Sequence, residues 1–541
     1  MKPGSILWRG AVICVACMTT TASSTTDDLA LKPIEPSTEA AKQNAFQIFN
    51  AIHSAMRQWG SSLNHNGLSA FLVTVPADTI LHHGTSHPEP PTGPEWLAFD
   101  IEHAEQFARS RMGPPPPIDA NQNPPMQQLW HLAQRQPPVD QTLEKKHGYL
   151  HIYTTMKPLR LLYLDGMSAG NTNMGTLDTQ DFLLRGDRHV PIWEEYERAK
   201  SLCDILTPLG LDGVIRMEFG FEIINCQFSW SMRLLKAYQR PDNPDTPSNA
   251  VLLENVRAIS QRYHGIGAGR AVVDFSSMVS AMFYPVNLTN PDPTRSHLPR
   301  LTSVTDDQLR AIKTRILDVV RDRVDGRKAS IDWQGVTDMI IARYADRLWS
   351  MTEKVDSLEV LKHIVSGLLN THIDYALDDH DRYDRARDTC AAHYLQQART
   401  RYLQFPDPWT DEDLFIASAI SSVTGSICDA LFEVRKLIVE DTNANEKSLA
   451  SAKKIIKSLN EKLRWSRWKE CTTCSFDEVC FVPMWPFGDK DSYERPNCRN
   501  VATVKDGWMD NQYWEPRWGG HAAPEPPAKT KTGWIGPSED L

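Results

Sequence analysis

The sequence predicts an α+β N-terminal domain, an all-α helical domain after it, and a small Cys/Trp-rich tail. Three observations carry that reading. Between residues 46 and 240, short apolar runs alternate with Pro/Gly turn signals, which marks strands more than long helices. From 296 to 466 the apolar positions recur at helical spacing instead, as Leu309, Ile312, Ile316 and Val319 do. From 467 to 541, Cys, Trp, Pro and Gly accumulate without periodicity.

In chain order, Lys2 and Arg9 give a basic start, residues 10–18 (GAVICVACM) a short apolar run, and residues 19–24 (TTTASS) a small-residue stretch. That order reads as a signal peptide over 1–22, cut near Ala22 or Ser23. Residues 23–45 are polar and Thr/Ser-rich, a linker. An amphipathic helix is expected over 41–59, with Ala45, Ile48, Phe49, Ile52 and Met56 on one face. Strands are expected at 70–74, 79–82, 96–99, 149–154, 159–164, 213–217 and 221–226. Residues 112–138, rich in Pro and Gln, read as a long loop or lid. A connecting segment, 241–295, carries a helical stretch at 250–263, a strand-like one at 272–275 and an apolar one at 278–284. The helical domain, 296–466, divides into helices at 305–324, 332–351, 357–377, 381–403, 411–440 and 445–465, the first opened by Thr305 as cap. Short connections imply antiparallel packing.

The signal peptide decides how the cysteines are read. Of the 10 Cys, Cys14 and Cys17 leave with it. Cys203, Cys226, Cys390, Cys428, Cys471, Cys474, Cys480 and Cys498 remain, an even set that suggests disulfides in an oxidising compartment. Proximity in sequence favours Cys203 with Cys226, Cys390 with Cys428, and two bonds within the tail. The chain is therefore expected to be secreted and extracellular, with Asn287-Leu288-Thr289 as a candidate glycosylation sequon. No later segment is apolar enough to span a membrane, which takes about 20 residues. The polar end GWIGPSEDL lacks the hydrophobic tail that directs lipid anchoring. A net charge of −10, with no long Lys/Arg run, argues against nucleic acid as a partner.

Three segments of the α+β region stand in a telling order. Ile80, Leu81, His82, His83, Gly84 and Thr85 form a strand ending in a His-Gly-Thr turn. Trp96, Leu97, Ala98, Phe99 and Asp100 lead into a helical stretch with Ala104 and Phe107 on one face. Leu211, Asp212, Gly213, Val214 and Ile215 precede Phe221, Glu222, Ile223 and Ile224. The ordered set resembles the ADP-ribosyltransferase superfamily, over about 190 residues of the 541. The whole chain resembles uncharacterised secreted proteins of filamentous fungi. The superfamily resemblance implies short split sheets and NAD as substrate, with ADP-ribosyl transfer or NAD hydrolysis as the activity and a protein or carbohydrate group as acceptor. It implies Glu222 as the catalytic carboxylate, His83 on a ribose hydroxyl, Gly84 at a close backbone approach to the ligand, Thr85 on the adjoining ribose, and Phe99 and Phe107 against nicotinamide. The chemistry demands such groups, because breaking the nicotinamide–ribose bond builds positive charge on the ribose, which a fixed carboxylate stabilises. The chain departs from the pattern at Leu97 and Ala98, which donate no side-chain hydrogen bond, and at Gly220, where arginine-modifying members carry Glu. The alternative is a non-enzymatic extracellular interaction or structural protein that keeps the fold without turnover.

Other motifs carry less. His83 and His87 have metal-ligand spacing for a helix, but Gly84 and Pro88 oppose a helix there. The acidic stretch 374–388 reads as a solvated helix face. The cluster at 265–269 (GIGAG) lacks the strand–turn–helix context of a dinucleotide fingerprint. No Gly-x-Ser-x-Gly elbow occurs. The tail cysteines read as disulfides before zinc, so no metal is assigned. Trp485, Trp508, Trp514 and Trp518 either pack the tail or offer a carbohydrate surface.

Overall fold

The computed structural model describes residues 34–108, 147–191, 194–241, 248–260, 265–325, 329–404, 409–504 and 513–514. The expected signal peptide, residues 23–33 of the expected linker, the Pro-rich 112–138 segment, Trp508 and Trp518 lie outside the described residues. A mixed sheet of nine strands organises the N-terminal part. The strands are β1 (Asn66–Val75), β2 (Ile80–Thr85), β3 (Glu95–Ala98), β4 (Tyr149–Thr155), β5 (Leu159–Gly166), β6 (Gly213–Met217), β7 (Phe221–Asn225), β8 (Met232–Gln239) and β9 (Val272–Ser280). Their order is β8-β4-β2-β3-β7-β6-β5-β1-β9. The β5/β6 pair is parallel and the other pairs are antiparallel.

One large sheet replaces the expected short split sheets. It is nevertheless narrow at one place, where β2 and β3 meet through the single pair His82↔Ala98. The adjoining β2/β4 ladder pairs every residue of β2 from Ile80 to Thr85. The central strands read as near-continuous apolar runs because both their faces are covered; β6 and β7 are buried throughout. Strand β8 was not expected. It lies at the sheet edge with much of its surface exposed, so its sequence, MRLLKAYQ, has no core-facing alternation to read.

The helix expected over 41–59 breaks into Thr38–Gln43, Ala45–Ser54 and Gln58–Leu63. Its first piece starts inside the segment read as a linker, with Ala40 and Ala41 buried. The second break falls at Met56, whose φ of 55° is left-handed and whose N–H donates to the Tyr163 hydroxyl at 3.2 Å. Apolar spacing alone does not reveal such a corner, because the side chains on both sides still point to the core.

The C-terminal helices lie at Asp306–Arg323, Trp333–Glu353, Leu358–Leu369, Asp379–Ala392, Gln396–Gln404, Asp411–Arg435 and Glu446–Leu463, close to expectation except that the helix expected over 357–377 ends at Leu369 and the one expected over 381–403 divides in two. Thr305 caps the first in a capping box with Gln308, and Thr410 does the same for Asp411–Arg435 with Asp413. Asp411–Glu440 is long and apolar enough to cross a membrane, but 56% of its most apolar window is buried against the rest of the chain. One hydrophobic core runs from Ala41 through the sheet and helices to Trp514.

The cysteines pair as Cys203–Cys226, Cys390–Cys428, Cys471–Cys480 and Cys474–Cys498. The tail adds a two-stranded ribbon, β10 (Val479–Phe481) with β11 (Asn497–Arg499). Trp485 and Trp514 are buried, and the Trp514 indole N–H donates to the Phe487 carbonyl at 3.0 Å, so these two rings pack the tail and present no carbohydrate surface. Asn287 is exposed.

Candidate functional site

The narrow join between β2 and β3 opens a cleft. It is lined by His82, His83, Gly84, Thr85 and Ser86 from β2 and its turn, by Glu95 to Ala98 of β3, by His103, Ala104 and Phe107, by Tyr196, and by Glu222 of β7. Of the residues singled out in the sequence, His83, Gly84, Thr85, Phe107 and Glu222 thus share one cleft. Phe99 does not line it. Its ring is buried in the core, where Arg270 lies over it and also donates to its carbonyl at 2.9 Å. Gly84 does sit at a close backbone approach, but to the chain itself. A Cβ there would come within 2.1 Å of the Ala104 carbonyl oxygen, so glycine lets the helical segment after β3 rest on β2.

Beneath the cleft lies a buried ionic network. Arg216 and Glu222 face each other across the β6/β7 hairpin, so both side chains point to the same side. Arg216 Nη2 donates to Glu222 Oε1 at 2.7 Å and to Glu195 Oε2 at 2.8 Å, and Nη1 donates to Gln180 Oε1 at 3.0 Å. Arg198 also pairs with Glu195 and donates twice to Asp181, at 2.9 and 3.0 Å. Glu195 and Arg198 come from the helix Glu195–Leu206, which the Cys203–Cys226 bond ties to the end of β7.

The two carboxylates that share Arg216 behave differently. Burial opposes ionisation of Glu195, but Arg216 and Arg198 together outweigh it and hold its pKa below the usual range. Glu222 has one guanidinium and a like-charged neighbour, Glu218. Burial therefore wins over Arg216 and pushes its carboxyl up to about 7. Glu218, in the turn between β6 and β7, is pushed up to about 8 by burial, and its Oε1 lies 3.1 Å from His103 Nε2. Burial also lowers His103. Glu95, at the cleft wall, rises to about 7 for the same reason.

His83 is neutral, its pKa lowered by burial to about 4. Its Nδ1 lies 2.8 Å from the Trp96 carbonyl, which can only accept. The proton is therefore on Nδ1, and Nε2 is left as an acceptor. Thr85 Oγ1 accepts from the His87 N–H at 3.3 Å.

Sequence reasoning assigned no role to His103, Arg216, Glu195 or Glu218. The signal for Arg216 was present: a cation inside the apolar strand GVIRM implies a buried counter-charge. Nothing local marked His103, whose partner Glu218 lies 115 residues away, and the pairing of Glu195 with Arg198 three residues on reads as an ordinary helix-face pair.

Residues 38–115 and 118–246 match the family model described as the YPL277C N-terminal domain. The chain is similar to the uncharacterized protein YOR389W of Saccharomyces cerevisiae, at 25% identity over 526 residues that cover 82% of each chain. It is also similar to the uncharacterized protein YPL277C of the same yeast, at 32% identity over 212 residues, 34% of this chain and 41% of that one. No solved structure matches. His83, His103, Glu218 and Glu222 all fall within the matched segments, so the cleft lies in the part of the chain that resembles the YPL277C N-terminal domain.

Proposed function

We propose that the cleft binds NAD and cleaves its nicotinamide–ribose bond, in a protein exported through the secretory pathway. The observation that carries this reading is convergence: His83, Gly84, Thr85, Phe107 and Glu222, chosen from separate segments, line one cleft. Glu222 holds negative charge beside the ribose carbon as the bond breaks and its electron pair leaves with nicotinamide. The oxygen of water, or of an acceptor group, then bonds to that carbon. With water the products are ADP-ribose, nicotinamide and a proton. His83 Nε2 accepts a hydrogen bond from a ribose hydroxyl, and Phe107 packs against the nicotinamide ring. Export is supported by the N-terminal pattern and the four disulfides.

The test is nicotinamide release by the purified protein beside Glu222→Gln, with matched unfolding curves. Release by the wild type and at least about a hundredfold loss in the variant is expected, as for removal of one preorganised electrostatic group. A second reading, a non-catalytic extracellular scaffold, draws on two features. Glu222 is 5% exposed, and its Oε1 is already held by Arg216. The space in the cleft is also small, about 60 Å³, room for a few waters. No release and no calorimetric NAD binding would establish that second reading.

A further inference from the structure

We propose that His103, Glu218 and Glu222 form a binding site for one divalent transition-metal ion, Zn²⁺ or Mn²⁺, at the floor of the cleft. The three residues come from different places: the helix Ile101–Glu105, the β6/β7 turn and strand β7. Their donor atoms nevertheless all lie within 4.8 Å of one another, and all three residues are buried. An ion about 2.0–2.2 Å from each donor holds neighbouring donors about 3–3.5 Å apart. His103 Nε2 and Glu218 Oε1, at 3.1 Å, already meet that spacing. The second oxygen of Glu222 is the third donor, since Oε1 faces Arg216.

The ligand class follows from the donors. One imidazole nitrogen with two carboxylate oxygens suits zinc, manganese or iron better than calcium or magnesium, which take oxygen alone. Three protein ligands leave coordination positions open toward the cleft that His103 and Glu222 line.

Two further observations describe the surroundings of the three donors. The His103 Nδ1 is buried without a hydrogen-bond partner. A Cβ on Gly220 would come within 2.7 Å of it, so the turn is shaped around a ring that it does not bond. Nδ1 is not the nitrogen that faces Glu218, so an ion on Nε2 would leave it unpaired, and a water is the partner it calls for. The second observation is charge. Asp181, Glu195, Glu218 and Glu222 face Arg185, Arg198 and Arg216, which leaves one carboxylate more than guanidinium in the cluster. Buried carboxylates persist only if paired, protonated or bound to metal, so the excess is met by an ion or, without one, by a proton.

This site does not depend on the nucleotide reading. The two use Glu222 in opposite ways, because an ion on its free oxygen removes the negative charge that NAD cleavage needs. If both hold, the ion inhibits the cleavage.

The experiment uses the full chain with its disulfides intact, so that no thiol binds metal, stripped with a chelator and titrated calorimetrically with Zn²⁺ and with Mn²⁺. One saturable site is expected for at least one ion, with a melting temperature that rises as ion is added. Glu218→Gln and His103→Gln should each weaken binding at least tenfold while retaining the wild-type circular dichroism. Wild-type protein that binds neither ion overturns the proposal, and so does binding unchanged in both variants. The wild-type titration decides alone if a variant does not fold. Nicotinamide release from the metal-free protein is measured in parallel, so that failure of either reading is recognised separately.

Discussion

The cleft and the helices bury different things. At the cleft, Arg198, Arg216, Glu195, Glu222 and His103 are each no more than 5% exposed. The helix Asp411–Arg435 buries mainly apolar groups, among them Ile416, Ile420, Val423, Ile427 and Leu431. Apolar burial stabilises in proportion to area and needs no particular partner. Buried charge stabilises only when every member is matched, and apolar groups of similar volume often serve stability as well or better. A network of this kind, placed under a cleft, is therefore better explained by what the cleft does than by what holds the fold together.

The largest test of that contrast is Arg216→Met. It removes the cation that Glu195 and Glu222 share and leaves carboxylates uncompensated in the interior. A loss of about 3–5 kcal/mol in urea denaturation is expected. A loss under about 1 kcal/mol, the range of exposed pairs, would mean that water reaches the cluster, and the contrast would collapse. Next in size is Leu431→Ala, on the fully apolar side. It opens a cavity and should cost about 3 kcal/mol. Nicotinamide release and metal affinity should not change in this variant. If they do, the helices are coupled to the cleft in a way that packing alone does not explain.

The same contrast explains what was legible in the sequence. Helix positions followed from spacings such as Leu309, Ile312, Ile316 and Val319, because apolar periodicity records burial directly. The strands that hold the cleft were readable as apolar runs, and the disulfide pairs followed from proximity along the chain. The corner at Met56 and the edge strand β8 were not, since neither changes which residues face the core. At the site, His83 and Glu222 stood in recognisable order, but His103, Glu195 and Arg216 did not. Their role exists only once the register Arg216↔Glu222 and the approach of two helices are known. Phe99 shows the converse: a plausible lining residue in the sequence whose ring packs into the core beside the cleft.

The smallest expected effect is on pH dependence, and it separates the two regions by their buried histidines. His65 is fully buried just before β1. Its Nε2 lies 2.7 Å from the Tyr513 hydroxyl, and its ring meets Trp514 edge-on at 5.0 Å. Burial pushes its pKa down to about 3, and that of His83 down to about 4. In the unfolded chain both titrate near about 6.5. Below that value the unfolded state takes up protons that the folded state refuses, so stability falls as pH falls from about 6.5 toward the folded pKa values. Above about 6.5 these groups contribute no pH dependence. Each contributes a slope of at most about 1.4 kcal/mol per pH unit within the window. Among the described residues, no buried histidine lies on the helices between Asp306 and Leu463. Glu95, Glu218 and Glu222, raised by burial, slope the other way as pH falls, so the histidine share is read by difference. Between pH 7 and pH 5, His65→Gln should lose less hydrogen-exchange protection in β1 and the tail than the wild type does, by up to one histidine's share, with those helices unchanged. Simultaneous loss of protection in both regions would show that they unfold as one cooperative unit, with the acid sensitivity of the sheet transmitted through the shared core.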